Sequence, residues 1–409
     1  MASKIVIVGA GQAGVATAFK LRSHGHDGPI TLLGEEPHVP YHRPPLSKKF
    51  VTDRLDVERL HIRQADLYEK AGISLVSDSH VEAIDRDHMR VRTNNGQAFD
   101  YDALVLATGS QARLLAFDEG GRPANVLTLR TLGDAVSMRE RFVPGGRLLV
   151  IGGGYIGLES AAVARSLGMT VTLVERDARI LNRVASPETA AYFMDLHRKH
   201  GVTIYEGAGI AQFDHSGDCV IAVTLTDGTR IPVDVVVVGI GVTPRTDLAA
   251  NAGLAVENGI VVDPSCRTSD PSIYSLGDCA SFPYRDRSIR LESVQNAVDM
   301  ADVVARSIMG EQAQYDALPW FWSDQYNTKL QIAGLNAGYD RVALRQNTDD
   351  SLSVWYFDGG QLIAVDAIND PRAFMTAKRW LAMGHAPSWE DVQNISIALG
   401  DMAVSVRRH

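Results

Sequence analysis

The segment Ile151-Gly152-Gly153-Gly154-Tyr155-Ile156-Gly157-Leu158-Glu159 follows the apolar run Leu148-Leu149-Val150 and precedes Ser160-Ala161-Ala162-Val163-Ala164. That order reads as a strand, a glycine turn and a helix start. Gly152 then permits the tight turn, Gly154 lets backbone approach a pyrophosphate, and Gly157 lets the helix pack on its strand. The helix N-terminus offers unpaired N–H groups and a positive dipole end to phosphate. A glycine-rich turn alone is a weak signal. Here the strand-like run Thr170-Val171-Thr172-Leu173-Val174 follows and ends at Glu175, 23 residues after Gly152. An acid at that point can accept both hydroxyls of an adenosine ribose, so the unit reads as a dinucleotide site.

The N-terminus repeats the pattern. Ile5-Val6-Ile7-Val8 leads into Gly9-Ala10-Gly11-Gln12-Ala13-Gly14 and a helix from Val15 to about His24. A second strand, Ile30-Thr31-Leu32-Leu33, is followed by Glu35, 26 residues after Gly9. The likeness continues downstream. Asn95-Gly96 and Asp227-Gly228 are each hairpin signals, and each leads into an apolar strand, Asp102 to Gly109 and Asp234 to Gly241. Corresponding points lie 143, 140, 132 and 132 residues apart, so the first copy is longer, mostly by about eight residues between its acid and its hairpin.

The additional material of the first copy runs from Pro37 to about Lys70 and includes Pro40-Tyr41-His42-Arg43-Pro44-Pro45-Leu46-Ser47-Lys48. This is either a proline-bent surface loop or a loop that holds Arg43 and Lys48 against a cofactor. After the second copy, Gly239 to Arg245 reads as a return crossing, and Ile260-Val261-Val262 and Ile273-Tyr274-Ser275-Leu276 read as short strands. The second ends at Gly277-Asp278, where the carboxylate either reaches a ligand hydroxyl at the sheet edge or caps the next turn. Ser293 is placed to cap a helix from Val294 to Met309, closed by Gly310. From Pro319 the pattern changes to successive strands and a helix from Pro371 to about Met383, an α+β domain without a nucleotide signature.

Composition narrows the classes. A net charge of −9 disfavours nucleic-acid binding, which needs a basic footprint. Cys219, Cys266 and Cys279 stand far apart, in no dithiol or iron–sulfur spacing, which fits a reduced, cytoplasmic compartment. The longest uncharged run, Ile5 to Phe19, is too short to span a bilayer and contains three glycines, so a soluble protein is expected.

Two dinucleotide sites of the same build imply transfer between two cofactors, and hydride moves from nicotinamide to flavin without a protein nucleophile. Asp278 and the Ser293 helix give the N-terminal unit added contacts, so it is the candidate for FAD; the second unit would hold NADH. At this point a resemblance becomes specific. Arg43-Pro44-Pro45-Leu46-Ser47-Lys48, Gly152 to Glu159, Tyr274 to Asp278, Leu291 to Ala297 and Pro319 to Gln325 resemble the FAD-dependent ferredoxin reductases of bacterial cytochrome P450 and aromatic-ring dioxygenase systems. These belong to the glutathione-reductase-like flavoprotein superfamily.

The resemblance implies an α/β fold with two Rossmann-like domains of the three-layer ββα type and a C-terminal α+β domain. It divides the chain into a discontinuous FAD domain (1–111 and 242–318), an NADH domain (112–241) and the C-terminal domain (319–409). By the same resemblance Gly9, Gly11, Gly14 and Glu35 bind the ADP half of FAD. Arg43, Lys48 and Asp278 contact the rest, with Lys48 near the isoalloxazine and Val294 under its N1/O2 edge. Gly152, Gly154, Gly157 and Glu175 bind NADH, with Glu159 beside the nicotinamide carboxamide. Lys48 and Glu159, each placed by its own nucleotide unit, are expected to pair, since two buried charges near an apolar ring need a partner. Trp320 and Trp322 share one strand face; they are either core aromatics or, by the resemblance, at least one lies against the flavin.

Disulfide reductases of the superfamily carry a CxxxxC on the flavin, and peroxidase relatives a Cys in the first loop; Pro40 to Lys48 has none. Electrons therefore leave the flavin outward, and the resemblance implies that they pass singly to a separate [2Fe-2S] ferredoxin. Candidate docking cations are Arg285, Arg287, Arg290, Lys329, Arg372, Lys378 and Arg379. Other readings are a rubredoxin reductase, an NADH oxidase, or a redox-signalling relative of the apoptosis-inducing flavoproteins, whose targeting segment and basic surfaces are not seen here.

NADH is the expected coenzyme. Glu175 stands where NADPH would bring a 2′-phosphate, with Arg176 as a weak counterweight. Two like charges about 4 Å apart at an effective dielectric near 20 repel by about 4 kcal/mol, roughly a thousandfold in affinity. Steady-state kcat/KM for the two coenzymes checks this, and comparable values would contradict it.

Overall fold

A computed structural model describes residues 3–53, 55–117, 121–348, 350–403 and 405–406. The chain forms two compact units, one of residues 1–42, 56–111 and 242–317, the other of residues 43–55, 112–241 and 318–409. Residues 43–55 thus cluster with the second unit, although the sequence assigns them to the first.

In the first unit the apolar runs form a five-stranded parallel sheet. Its spatial order is Ile273–Ser275, Ala103–Leu106, Ile5–Val8, Ile30–Leu33, Ile73–Val76. Alternation places Ile5, Ile7 and Val105 on one face and Val6, Val8, Leu104 and Leu106 on the other, all buried. Unbroken apolar runs of this kind need cover on both sides. Helices Gln12–Ser23 and Val294–Ile308 cover the first face, through Val15, Leu21, Met300 and Val304. A three-stranded antiparallel sheet, Val81–Asp85, Arg90–Thr93 and Ala98–Asp100, covers the second through Val81 and Val91. Its Asn95-Gly96 turn puts Gly96 at φ +81°, as the hairpin signal requires.

The second unit contains the same three layers. Its parallel sheet runs Val126–Leu127, Val235–Val238, Arg147–Ile151, Thr170–Val174, Val202–Tyr205. An antiparallel sheet of Ile210–Ser216, Cys219–Leu225 and Arg230–Pro232 packs on it through Val220, Val223, Leu225 and Ile231. The glycine turn leaves the central strand in both units, so the duplication read from spacing is a duplication of structure.

The C-terminal part of the second unit is a five-stranded antiparallel sheet ordered Trp320–Gln325, Thr328–Gly334, Gln361–Ile368, Ser351–Asp358, Arg341–Thr348. Helix Pro371–Met383, capped by the Asp370 side chain on Ala373 N–H and ended by Gly384 at φ +64°, buries Phe374, Ala377 and Trp380 on it. Segment 43–55 is a 3₁₀ turn Pro44–Ser47 and a short helix Lys49–Thr52, with Phe50 wholly buried beneath the Arg139 guanidinium, 4.5 Å from its ring centroid.

Asp366 ties the C-terminal sheet to helix Pro187–Lys199. Its Oδ2 accepts from the Tyr356 hydroxyl and, at 2.8 Å, from Thr189 Oγ1, while Oδ1 has no partner among the described residues. Burial raises this carboxyl to about 6. A raised carboxyl gives stability that is complete below its unfolded value and lost as pH rises through the folded one; the full loss is about 3 kcal/mol. Asp366→Asn removes that dependence. Its stability relative to the parent should rise by about 2 kcal/mol from pH 4 to pH 8, read from urea denaturation at both. A constant difference would contradict the assignment.

Candidate functional site

In the first unit the glycine turn sits at the carboxyl edge of the parallel sheet. Gly9 is at φ +111°, and a Cβ there would overlap the Ala107 carbonyl oxygen. Gly14 faces the Gly9 carbonyl in the same way. Gly11 caps helix Gln12–Ser23 without a side-chain bond, and a Cβ on it would meet open space. Free N–H groups with room in front of them suit a pyrophosphate, so these residues fit a dinucleotide.

The same edge gathers Asp278. The 3₁₀ turn Gly277–Cys279 follows strand Ile273–Ser275, and a Cβ on Gly277 would come within 3.0 Å of Ala13 Cβ and 3.9 Å of Ala297 Cβ. Asp278 Oδ2 accepts from Ser110 Oγ at 2.9 Å, and its carbonyl from Arg290 Nη1 at 3.2 Å. Ser293 Oγ accepts from Asn296 N–H at 3.1 Å, so the helix beginning at Val294 starts where the sequence placed it. Glu35 follows the next strand, and both its oxygens receive the Arg245 guanidinium, with His80 Nδ1 3.3 Å away. Arg245 holds this carboxyl below its ordinary range. Nothing in the local sequence of Glu35 announces Arg245 or His80, which lie 210 and 45 residues on.

In the second unit Gly152, at φ +102°, lies against the Gly239 carbonyl, and Gly157 against that of Gly152. Gly154 caps helix Tyr155–Ser166, again without a side-chain bond. The acid behaves differently from its counterpart. Glu175 Oε2 accepts from Gly153 N–H at 2.6 Å and Oε1 from Asp177 N–H at 2.7 Å, so it braces the glycine turn itself.

One turn into that helix Glu159 is only 3% exposed. Its Oε2 accepts from Lys48 Nζ at 2.7 Å and Ser47 Oγ at 2.5 Å, and its Oε1 from Ser323 Oγ at 2.6 Å. The expected Lys48–Glu159 pair is thus present, with two hydroxyls that the sequence reading missed. Pro44 and Pro45 start the 3₁₀ turn that delivers Ser47 and Lys48, and Arg43 is held nearby by the Arg130 carbonyl. Tyr155 stacks obliquely on Phe321, centroids 4.9 Å apart. Trp320 and Trp322 share a face, 5.6 Å apart; Trp320 also lies 5.9 Å from Phe374, with Lys378 Nζ 4.9 Å from its centroid.

Residues 3–301 match the pyridine nucleotide-disulphide oxidoreductase family, and residues 320–403 match the reductase C-terminal family. The chain belongs to the pyridine nucleotide-disulphide oxidoreductase family. It is 44% identical to putidaredoxin reductase of Pseudomonas putida over 92% of this chain and 90% of that protein. It is 42% identical to rhodocoxin reductase of Rhodococcus erythropolis over 99% and 95%. The crystal structure of the covalent putidaredoxin reductase–putidaredoxin complex superposes with a TM-score of 0.94 at 42% identity, covering 97% of both chains. The family name includes a disulphide, yet all three cysteines of this member are free, with Cys266 and Cys279 buried. This oxidoreductase therefore has no dithiol of its own.

The cations differ in availability. Arg285, Arg287, Lys329, Arg372 and Arg379 are exposed, and Lys378 is half-buried over Trp320. Arg290 corrects the sequence reading: its side chain is 10% exposed and held by Glu292 at 2.6 Å and by the Asp278 carbonyl, so it serves the local turn.

Removing Lys48, which is 19% exposed, leaves the buried Glu159 charge without its cation. Lys48→Met should cost about 3–5 kcal/mol of stability, with a substantial part recovered in Lys48→Met/Glu159→Gln. Denaturation of the four proteins of this cycle checks it, and a single variant as stable as the parent would contradict it.

Proposed function

We propose that this protein is a flavoprotein reductase that takes hydride from NADH onto FAD and passes single electrons to a [2Fe-2S] ferredoxin feeding a cytochrome P450 or ring-hydroxylating dioxygenase. The likeness to putidaredoxin reductase over 97% of both chains carries this reading. When bound, the flavin supplies the conversion of a two-electron donor into one-electron steps.

The chain's own residues hold and orient. Gly9 and Gly14 shape the turn where no Cβ fits, Gly11 at the helix start leaves room for the FAD pyrophosphate, and Glu35, kept ionised by Arg245, accepts from its ribose. Asp278 and the Val294 helix end would hold the flavin half, where the positive end of the helix dipole would favour negative charge. Arg43, Lys48 and Trp320 are assigned to FAD on the family resemblance alone. Gly152, Gly154, Gly157 and Glu175 receive NADH, and Glu159 receives its carboxamide. The domain division of 1–111 with 242–318, 112–241 and 319–409 belongs to the same reading.

No helix among the described residues is long and apolar enough to cross a membrane. The free cysteines suit a reducing compartment, and we assign the protein to the cytoplasm. Mixing the purified protein with NADH, cytochrome c and candidate [2Fe-2S] ferredoxins tests the function. Cytochrome c reduction should depend on added ferredoxin. Partner-free NADH consumption in air would instead indicate an oxidase, and preference for rubredoxin a rubredoxin reductase.

A protein of net charge −9 repels an acidic partner unless cations are gathered locally. Lys329, Arg372 and Arg379 are exposed and suited to that task. Reversing the three to Glu should raise the ferredoxin KM roughly tenfold and flatten its salt dependence. NADH–ferricyanide activity should be unaffected, since that acceptor needs no docking surface. Equal loss of both activities, or of neither, would exclude this surface.

A further inference from the structure

Glu159 is one end of a longer buried arrangement. Ser323 Oγ, 2.6 Å from Glu159 Oε1, is 3.3 Å from Gln325 Nε2. Gln325 Oε1 is 2.8 Å from His197 Nε2, and His197 Nδ1 is 3.2 Å from the Tyr326 hydroxyl. Ser323, Gln325 and His197 are fully buried, so solvent does not compete for these bonds.

The direction of each bond follows from its neighbour. A carboxylate paired with Lys48 only accepts, so Ser323 donates its one proton to it. The Ser323 lone pairs then accept the Gln325 amide N–H, which turns the Gln325 carbonyl toward His197. His197 accordingly carries its proton on Nε2 and accepts from Tyr326 at Nδ1. Burial lowers this imidazole to about 4, which keeps it neutral as the alignment requires. Every O–H and N–H in the series points toward Glu159, and bonds aligned in this way polarise one another in a low dielectric.

The acceptor count at Glu159 gives the alignment a purpose. Oε2 already takes Lys48 and Ser47, whereas Oε1 takes only Ser323 among the described residues. A carboxylate oxygen accepts two donors, so Oε1 keeps one position. Building on the reading of Glu159 as the group that receives NADH, we propose that Ser323, Gln325 and His197 are positioning residues. Together they form an aligned relay that orients Glu159 so that its one remaining acceptor position meets an amide N–H of the coenzyme.

The FAD-loaded protein tests this by calorimetric titration with NAD+ and by anaerobic stopped-flow reduction with NADH. Ser323→Ala should weaken NAD+ binding about tenfold, the value of one hydrogen bond to a charged group, and should slow reduction at saturating NADH. His197→Phe fills the ring's volume without a donor and should act in the same direction by about threefold, a cooperative effect one bond removed. His197→Gln, which supplies an amide N–H, should recover the loss. In a Glu159→Gln background Ser323→Ala should add nothing further. A relay that only braced the fold would shift the melting temperature without that coupling. Additive losses in the double variant would overturn the relay, as would parental NAD+ binding in Ser323→Ala and His197→Phe beside an impaired Glu159→Gln. Parental binding and reduction in Glu159→Gln would instead remove the reading of Glu159 on which the relay rests.

Discussion

A carboxylate that is 3% exposed sets the terms for the second unit. Burying an ionised Glu costs several kcal/mol unless its lone pairs find donors, and Glu159 takes three donors from two distant stretches of chain. Lys48 and Ser47 come from the proline-led segment, and Ser323 from the first strand of the C-terminal sheet. Each is a donor, so no competing charge is introduced beyond the one cation needed for neutrality. The arrangement also explains why residues 43–55 cluster with the second unit. Once Lys48 is committed to Glu159, and Phe50 is buried beneath Arg139, the segment's energetic attachments lie there.

The duplicated units show how one local solution can be supported in two ways. Both use a glycine at strongly positive φ, a carbonyl too close for any Cβ, and a helix start without a side-chain cap. The acids at the second strand ends differ. Glu175 spends one oxygen on the glycine turn and the other on its own following turn. Glu35 instead takes the Arg245 guanidinium on both oxygens, with His80 Nδ1 3.3 Å away. The first is fixed by short-range backbone geometry. The second depends on a long-range ion pair, which lowers its protonation range and sets its orientation by charge.

Local signals account for what was legible in the sequence. Apolar runs, the Asn95-Gly96 and Asp227-Gly228 turns, the Ser293 cap and Gly310 are read within a few residues, and each element stands where those signals put it. Even the Lys48–Glu159 pair was accessible, because two buried opposite charges in neighbouring motifs need each other. Ser47 and Ser323 were not accessible, since a serine carries no pattern that says which carboxylate, 112 or 164 residues away, it will meet. Arg290 was misread for the converse reason. In a row of three arginines, sequence cannot tell the one whose stem turns inward to Glu292 and a carbonyl from the two that remain exposed.

The contact between helix Pro187–Lys199 and the C-terminal sheet contains two buried titratable groups shifted in opposite senses. His197, bonded to Gln325, is lowered to about 4; Asp366, bonded to Thr189, is raised to about 6. The depressed imidazole gives stability that is complete above its unfolded value and lost as pH falls through about 4. The raised carboxyl gives stability that is complete below its unfolded value and lost as pH rises through about 6. Each shift is worth about 3 kcal/mol, so acidification relieves one group as it burdens the other. Between about pH 4 and 6 folding takes up close to one proton at Asp366 and releases close to one at His197, leaving little net pH dependence from the pair. The helix that anchors the relay to Glu159 is thereby attached to the C-terminal sheet by contacts whose combined strength varies little with pH.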